Sequence, residues 1–331
     1  MVPRIQVDLG DPPDQRWRAL SGFSRQARKL TDSYVKDLGG LEMFAPLVAE
    51  YRASFVSDEY GAEMDAIAKM IDRSPEEVLL ANLYYDALRA ILGCTAFALD
   101  TPAGPIHARN LDWWTENSTL SDYTLIAECS GGSTPGPYSL VGWPGFMGVF
   151  SGVAKGRFAI TLNAVISAET PQLAQSITLL LRSVFDTAPD YNAAMAVLTE
   201  TPIAADCLLL LSGVEPGQMA VVERTSTKAE VRKPDNGVVV VTNDYRKIDS
   251  GFAPVSGNEL QATACSRFDR ATVMAQQGRP TSAEECFAIL QDSDVKMGIT
   301  VQHMVMQAST GLLEARLPGS RVGGAVGKRV D

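Results

Sequence analysis

The chain has 331 residues, 46% of them hydrophobic, with a net charge of −10 and a sequence pI near 4.9. That is enough apolar chain for a substantial core, which excludes a mostly disordered polypeptide. Its lysines and arginines are scattered, which excludes a nucleic-acid footprint and points to a small molecule or another protein as partner.

The opening, MVPRIQVDLGDPPDQRW, carries charges throughout and has no uninterrupted apolar stretch, so no signal peptide is expected. Residues 11–93 read as mostly helical: LEMFAPLVAEYRASF and YGAEMDAIAKMI repeat apolar residues at three- and four-residue spacing. The firmest helix start is SPEEVLLANLYYDALRAIL, where Ser74 caps, Pro75 takes the first helical position and Glu77 completes a capping box; that helix is expected to stop at Gly93.

From Cys94 the texture changes to short β-favouring runs: CTAFALD, YTLIAEC, YSLVGW, RFAITLNAV, CLLLLSG, QMAVVER, GVVVVTN and VQHMVMQAS. Helices are expected near 170–200 and 261–291, the second containing a Ser282–Glu285 capping box. CSGGSTPGPY reads as a loop, GWPGFMG as a hairpin, and LPGSRVGGAVGKRVD as a loose tail. Strands in groups with helices in blocks favour an α+β layered architecture over a doubly wound one. No apolar run is long enough to span a bilayer, which leaves peripheral membrane contact open.

Cys94, Cys129, Cys207, Cys265 and Cys286 are odd in number, widely spaced and form no Cys-x-x-Cys pair, so neither a disulfide framework nor a metal site is expected. A reducing cytoplasm is the expected compartment, and no metal or organic cofactor is called for. Four of these cysteines read as small core hydrophobes. Cys94 stands apart because it follows Gly93 at the junction of the helical and strand-rich parts. Neither His107 nor His303 lies in a recognisable active-site motif. Cleavage before Cys94 would instead place an α-amine, with an ordinary pKa of about 7.7–8.0, on the same residue as a thiol of about 8.5. Glycine ahead of the cut allows the close approach that attack of Sγ on the preceding carbonyl needs.

GCTAFALDTPAGPIHARNLDWW resembles the start of the catalytic subunit in cysteine amino-terminal nucleophile (Ntn) hydrolases of the N-acylethanolamine acid amidase and acid ceramidase group, related to the choloylglycine hydrolases and penicillin V acylases. Cys94-Thr95 and Arg109-Asn110-Leu111-Asp112 carry the likeness. VDLGDPPDQRW, GWPGFMGVFSGVAKGRFAITLN, TPIAADCLLLLSG and VVVVTNDYR extend it, in order, over nearly the whole chain.

The resemblance implies a four-layer αββα Ntn-hydrolase sandwich. Residues 1–93 would form an N-terminal helical segment and residues 94–331 the catalytic segment, staying together as one folded unit after cleavage. It implies Cys94 as nucleophile, Arg109 beside the sulfur where a positive charge favours the thiolate, and Asp112 as acceptor for the freed α-amine. Asn243 would help form the oxyanion hole, and Asn163 occupies a position that faces the oxyanion in the bile-salt-hydrolase branch. Arg267 is implied as a second active-site arginine, with Arg270 as the alternative alignment. Where the amidase branch carries a Glu-Arg pair, this chain has Ala164-Val165.

Trp113, Trp114, Trp143, Phe146, Met147 and Phe150 are expected mostly in the core, with a fraction near Cys94 lining an acyl pocket. The implied substrate is a small-molecule N-acyl amide. N-acylethanolamines come first; bile-acid conjugates, penicillin V and N-acyl-homoserine lactones are relatives' substrates. Two alternatives remain: an acyltransferase of the same fold, and an uncleaved relative that binds lipid.

Overall fold

The computed structural model describes residues 2–88, 92–113, 119–252 and 262–318. Trp114 and residues 319–331 of the expected tail lie outside them. Among the described residues, thirteen strands form two sheets: eight in the order β1-β4-β5-β6-β7-β8-β9-β10, and five in the order β11-β2-β3-β12-β13. The strands that carry the argument are β1 (Arg4–Asp8), β2 (Leu92–Leu99), β3 (Ile106–Trp113), β4 (Leu125–Ser130), β5 (Tyr138–Gly142), β6 (Ser151–Ala154), β7 (Phe158–Ala164), β8 (Cys207–Ser212), β9 (Met219–Arg224), β10 (Ala229–Arg232), β11 (Val238–Val241), β12 (Thr300–Gln307) and β13 (Leu312–Arg316).

The sheets pack face to face, β2 lying against β7 and β8. Between them His107 of β3 bridges Thr161 of β7 and Ser212 of β8, at 2.9 and 3.0 Å. On the outer face of the five-stranded sheet, α9 (Ala264–Gly278) packs on β11 and β2 while α10 (Ala283–Leu290) packs on β12 and β3. On the far side, α7 (Ile177–Thr187) and α8 (Tyr191–Glu200) cover the eight-stranded sheet; Phe185 sits on the Cβ-less surface of Gly152 in β6. The result is the helix–sheet–sheet–helix sandwich that the sequence led us to expect. Strands such as β8, CLLLLS, are buried along their whole length because both faces are covered.

Each of the eight expected strands is present, and both capping boxes close with backbone and side-chain bonds in place. Two expectations change. The segment 1–93 is not only helical: RIQVD forms β1, which pairs in parallel with β4 and edges the eight-stranded sheet. Arg4 and Asp8 face outward, and only Ile5 and Val7 mark the buried side, too brief an alternation to read in a charged terminus. The helix starting at Ser74 does not run to Gly93. It ends as α4 (Pro75–Asn82), is followed by α5 (Tyr84–Leu88), and β2 begins at Leu92. Beyond the eight, the structure also has the strands β3, β6, β10 and β13.

The N-terminal helices α1 (Ser24–Asp37), α2 (Ala45–Phe55), α3 (Asp58–Ile71), α4 and α5 share one hydrophobic cluster with strands of the eight-stranded sheet. Two polar clamps fix them there. Asn82, buried at the end of α4, donates to Gly145 O at 3.2 Å and accepts from Met147 N–H at 2.7 Å, holding the loop between β5 and β6. Gly145 can serve there because its φ of +87° suits glycine and its open side meets Ala27 of α1.

The second clamp centres on Glu63 of α3, fully buried. Its carboxylate takes Trp17 Nε1–H at 2.6 Å and Arg16 Nη1 at 2.9 Å, and lies 3.6 Å from Arg182 of α7. Arg182 is itself fully buried, with Trp17 and Tyr60 over its guanidinium at 5.4 and 5.5 Å and Asp186 at 3.1 Å. Removing one partner from such a cluster strands the others in a low dielectric. Glu63→Ala is therefore expected to lower unfolding free energy by about 3–5 kcal/mol in denaturant titration. A loss below about 1 kcal/mol would show that water takes over the carboxylate's role.

Candidate active site

The register of β2 on β3 decides what Cys94 meets. Cys94 lies opposite Leu111, Ala96 opposite Arg109 and Gly93 opposite Asp112. Directly paired residues project to the same face of a sheet and neighbours alternate, so Cys94 and Arg109 share the inner face while Gly93 and Asp112 share the face toward the helices. Arg109 Nη2 donates to Cys94 Sγ at 3.0 Å. The guanidinium is held by the Phe150 carbonyl at 2.6 Å, the Ser151 hydroxyl and the Leu162 carbonyl. Its charge is fully buried, so it acts on the sulfur with little screening. Cys94 itself is 1% exposed.

The main chain of Cys94 is gripped as firmly. Its N–H donates to Asn243 Oδ1 at 3.0 Å, and Arg267 Nη1 donates to its carbonyl at 2.7 Å and to the Thr95 hydroxyl at 2.8 Å. Arg267 Nη2 closes the ring on Asn243 Oδ1 at 2.9 Å. Asn243 follows β11, and its Nδ2 donates to Ala164 O at 2.8 Å. The turn after it is pinned by Glu223 of β9, a buried carboxylate that accepts the N–H groups of Arg246, Lys247 and Ile248. Arg270, by contrast, is an exposed partner of Asp292 on the outer side of α9, so the site arginine of that helix is Arg267.

Asp112 lies across from Gly93, on the residue pair that precedes Cys94. One carboxylate oxygen accepts from the Thr300 hydroxyl; the other, Oδ2, has no hydrogen-bond partner among the described residues. Burial raises its pKa above the ordinary carboxylate value, against the Thr300 bond and the charges of Arg267 and Arg109. Asn163 on β7 directs Nδ2 at the carbonyls of Val241 and Thr242, at 3.2 and 2.9 Å.

The structure thus gathers Cys94, Arg109, Asn243 and Arg267 into direct contact, with Asp112 and Asn163 at the margins. Sequence reasoning missed the groups that hold them: Leu162 O, Phe150 O, Thr300 and Glu223. Main-chain acceptors leave no sequence signal, and a lone threonine or glutamate before or within a strand is indistinguishable from a surface residue.

Both histidines are structural. Burial lowers His107 to about 3 and His303 to about 4, and each ring nitrogen with an observed partner meets a hydroxyl or an amide. Neither is placed on the sulfur as a base. All five cysteines are free thiols. Among the described residues, no three His, Cys, Asp or Glu side chains cluster as metal ligands would.

The aromatic residues near Cys94 are packed solid. Trp113 stacks on Tyr84 and meets Trp143 and Phe150 edge-on at 5.6 Å each, while Phe146 stacks on Phe150 at 5.2 Å. These side chains are core rather than pocket lining. An apolar cavity of about 340 Å³ lies instead between α2, α4, α5 and residues 171–173, lined by Leu38, Val48, Leu80, Leu83 and Leu173, and Cys94 does not reach it.

Residues 99–304 match the sequence model of the family described as acyl-coenzyme A:6-aminopenicillanic acid acyl-transferase. The chain belongs to this family. Curated relatives include the acid ceramidase of Balaenoptera acutorostrata scammoni, 25% identical over 256 residues, which covers 67% of this chain and 63% of that protein. The chain thus spans less than two thirds of the ceramidase it matches. The N-acylethanolamine-hydrolyzing acid amidase of Cavia porcellus is 26% identical over 93% of this chain and 88% of its own. Among solved structures, the Caenorhabditis elegans N-acylethanolamine-hydrolyzing acid amidase ortholog superposes with a TM-score of 0.53 at 18% identity, covering 69% of this chain and 95% of that one. This acyl-transferase family member therefore shares its fold with that amidase ortholog.

Because Asp112 is buried with its pKa raised, its charged form destabilises this fold wherever it is ionised. Replacing it removes a cost that is fully present above its folded pKa and vanishes as pH falls toward the ordinary carboxylate value. In a Cys94→Ala background, Asp112→Asn should therefore raise the melting temperature at pH 7–8, with the gain shrinking on acidification. Scanning fluorimetry across pH checks this; a loss of stability at pH 7–8 would mean that the carboxylate is compensated in this fold.

Proposed function

We propose that this chain is a self-processing Ntn cysteine hydrolase that cuts the linear amide of N-acyl amines, with N-acylethanolamine-like lipids as first candidates. One observation carries the reading: Cys94 has its sulfur on a buried guanidinium while its own N–H and carbonyl are separately held by Asn243 and Arg267. A structural cysteine needs main-chain partners too, but not a buried guanidinium on its sulfur or side chains from two distant elements as those partners. Amide hydrolysis by the similar ceramidase and amidase supports the substrate class.

In processing, Sγ attacks the Gly93 carbonyl carbon, and the C–N bond to Cys94 breaks as its nitrogen takes up the proton. Water then hydrolyses the thioester, releasing the Gly93 carboxylate. The new α-amine, at the nitrogen now held by Asn243, accepts the thiol proton in turnover, with Asp112 stabilising the resulting ammonium. The thiolate attacks the substrate carbonyl, the proton passes to the leaving amine, and water completes the cycle. The Asn243 side-chain amide, beside the Cys94 nitrogen, serves as an oxyanion donor in turnover. After the cut, 1–93 and 94–331 stay together through β1 and the Glu63 cluster. Five free thiols suit a reducing compartment, the cytoplasm being our assignment.

The family description favours a second reading, in which an amine rather than water takes the acyl group from the thioester. Product analysis with a competing amine separates the two.

Intact mass spectrometry of protein incubated across pH is the direct test. Two fragments divided between Gly93 and Cys94 are expected, and a single chain in Cys94→Ala. A wild type that stays whole at every pH would sink the processing step. In the processed enzyme, Asn243→Ala should cost roughly 10²–10³-fold in kcat. A negligible loss would move the oxyanion role elsewhere.

A further inference from the structure

Asn163 is fully buried on β7, on the face directed at the second sheet; Thr161, two residues earlier on the same face, bonds His107 of β3. Its amide has a definite orientation. Nδ2 donates to two carbonyls, Val241 O and Thr242 O, and turning the amide over would press its oxygen against both. The donors are therefore committed to the end of β11. The acceptor, Oδ1, has no hydrogen-bond partner among the described residues.

A buried acceptor left without a donor costs about 1–3 kcal/mol, so one retained beside a reacting group calls for a ligand that completes it. The neighbours of Asn163 along the strand locate that group. The Leu162 carbonyl takes Arg109 Nη2 and lies 3.8 Å from Cys94 Sγ, and the Ala164 carbonyl takes the Asn243 amide. Residue 163 is thus bracketed by the two carbonyls that steady the nucleophile's partners.

We propose that Asn163 Oδ1 accepts the N–H of the scissile amide, orienting the leaving nitrogen and selecting secondary amides over esters and N-alkylated amides. This deepens the hydrolase reading above and rests on it. A secondary amide brings one donor that must be satisfied once water is excluded, and Asn163 offers one acceptor with the matching vacancy. With the N–H held, the nitrogen lone pair that develops as the C–N bond breaks is left for the proton carried by the Cys94 α-amine. The role is distinct from oxyanion stabilisation, for which Asn163 would need a donor that β11 already occupies.

The test uses processed enzyme and three substrates with one acyl chain: the N–H amide of ethanolamine, its N-methyl amide, and the matching ethylene glycol monoester. Asn163→Ala also removes the two bonds to β11, a structural change that weighs on all substrates alike, so the amide-to-ester ratio of kcat/KM is the readout. That ratio is expected to fall roughly tenfold, the equivalent of one hydrogen bond. An unchanged ratio with both rates lowered would overturn the proposal. Should the variant not fold, wild type decides: it should turn over the N–H amide well ahead of the N-methyl amide, and equal turnover overturns the proposal. Wild type inert towards all three would bring down the hydrolase reading itself, and this inference with it.

Discussion

Everything at the site follows from one register, Cys94 opposite Leu111 in the β2–β3 pair. Side chains alternate with a period of two, so a slip of one residue would turn Arg109 to the helix-covered face and bring Asp112 to the sulfur side. A carboxylate in place of a guanidinium would disfavour the thiolate. The observed register places the cation on the sulfur and the carboxylate across from Gly93, on the residue pair before Cys94. Register is held by burial on both faces of β3 and by its second neighbour, β12, which pairs His303 with Asn110 and Met304 with Arg109.

A guanidinium buried at this depth is costly unless its donors are met. Arg109 meets the requirement at both terminal nitrogens, with main-chain carbonyls of β7 and of Phe150, at the end of the loop that Asn82 of α4 steadies, while its Nε has no hydrogen-bond partner among the described residues. The helical segment therefore reaches the sulfur through a physical chain: Asn82, the loop at Gly145 and Met147, Phe150, Arg109, Cys94. It also supplies the aromatic cover, Tyr34 and Tyr84 against Trp113. The helical segment is thus built into the packing around Cys94.

Much of the fold was legible. Uniformly apolar runs such as CLLLLSG and GVVVVTN announce strands covered on both faces, and the Ser74 and Ser282 boxes mark helix starts by local hydrogen bonding alone. β3 was not legible from its pattern. All eight of its residues are buried, yet IHARNLDW includes His107, Arg109, Asn110 and Asp112, so neither alternation nor an apolar run appears. Polar groups on both faces are satisfied by partners far off in the chain, Asn110 by Leu290 O and His107 by Thr161 and Ser212. Only the likeness of Arg-Asn-x-Asp to a known family drew attention to it.

By itself the sequence determined where the chain turns from helix to strand, that a cysteine stands at that junction behind a glycine, and that no histidine accompanies it in a motif. These are properties of neighbouring residues, set by capping, periodicity and composition. Only the tertiary structure decided that Arg267 rather than Arg270 holds Cys94, because both lie on α9 and the packing of that helix on β2 and β11 selects its inner face. It alone decided that the aromatic residues around Cys94 fill a core, and that the Asn163 amide nitrogen lies against the Val241 and Thr242 carbonyls. Each of these outcomes depends on which main-chain carbonyls come within hydrogen-bond reach, and the main chain carries the same groups at nearly every position, so their placement is known only once the sheets are stacked.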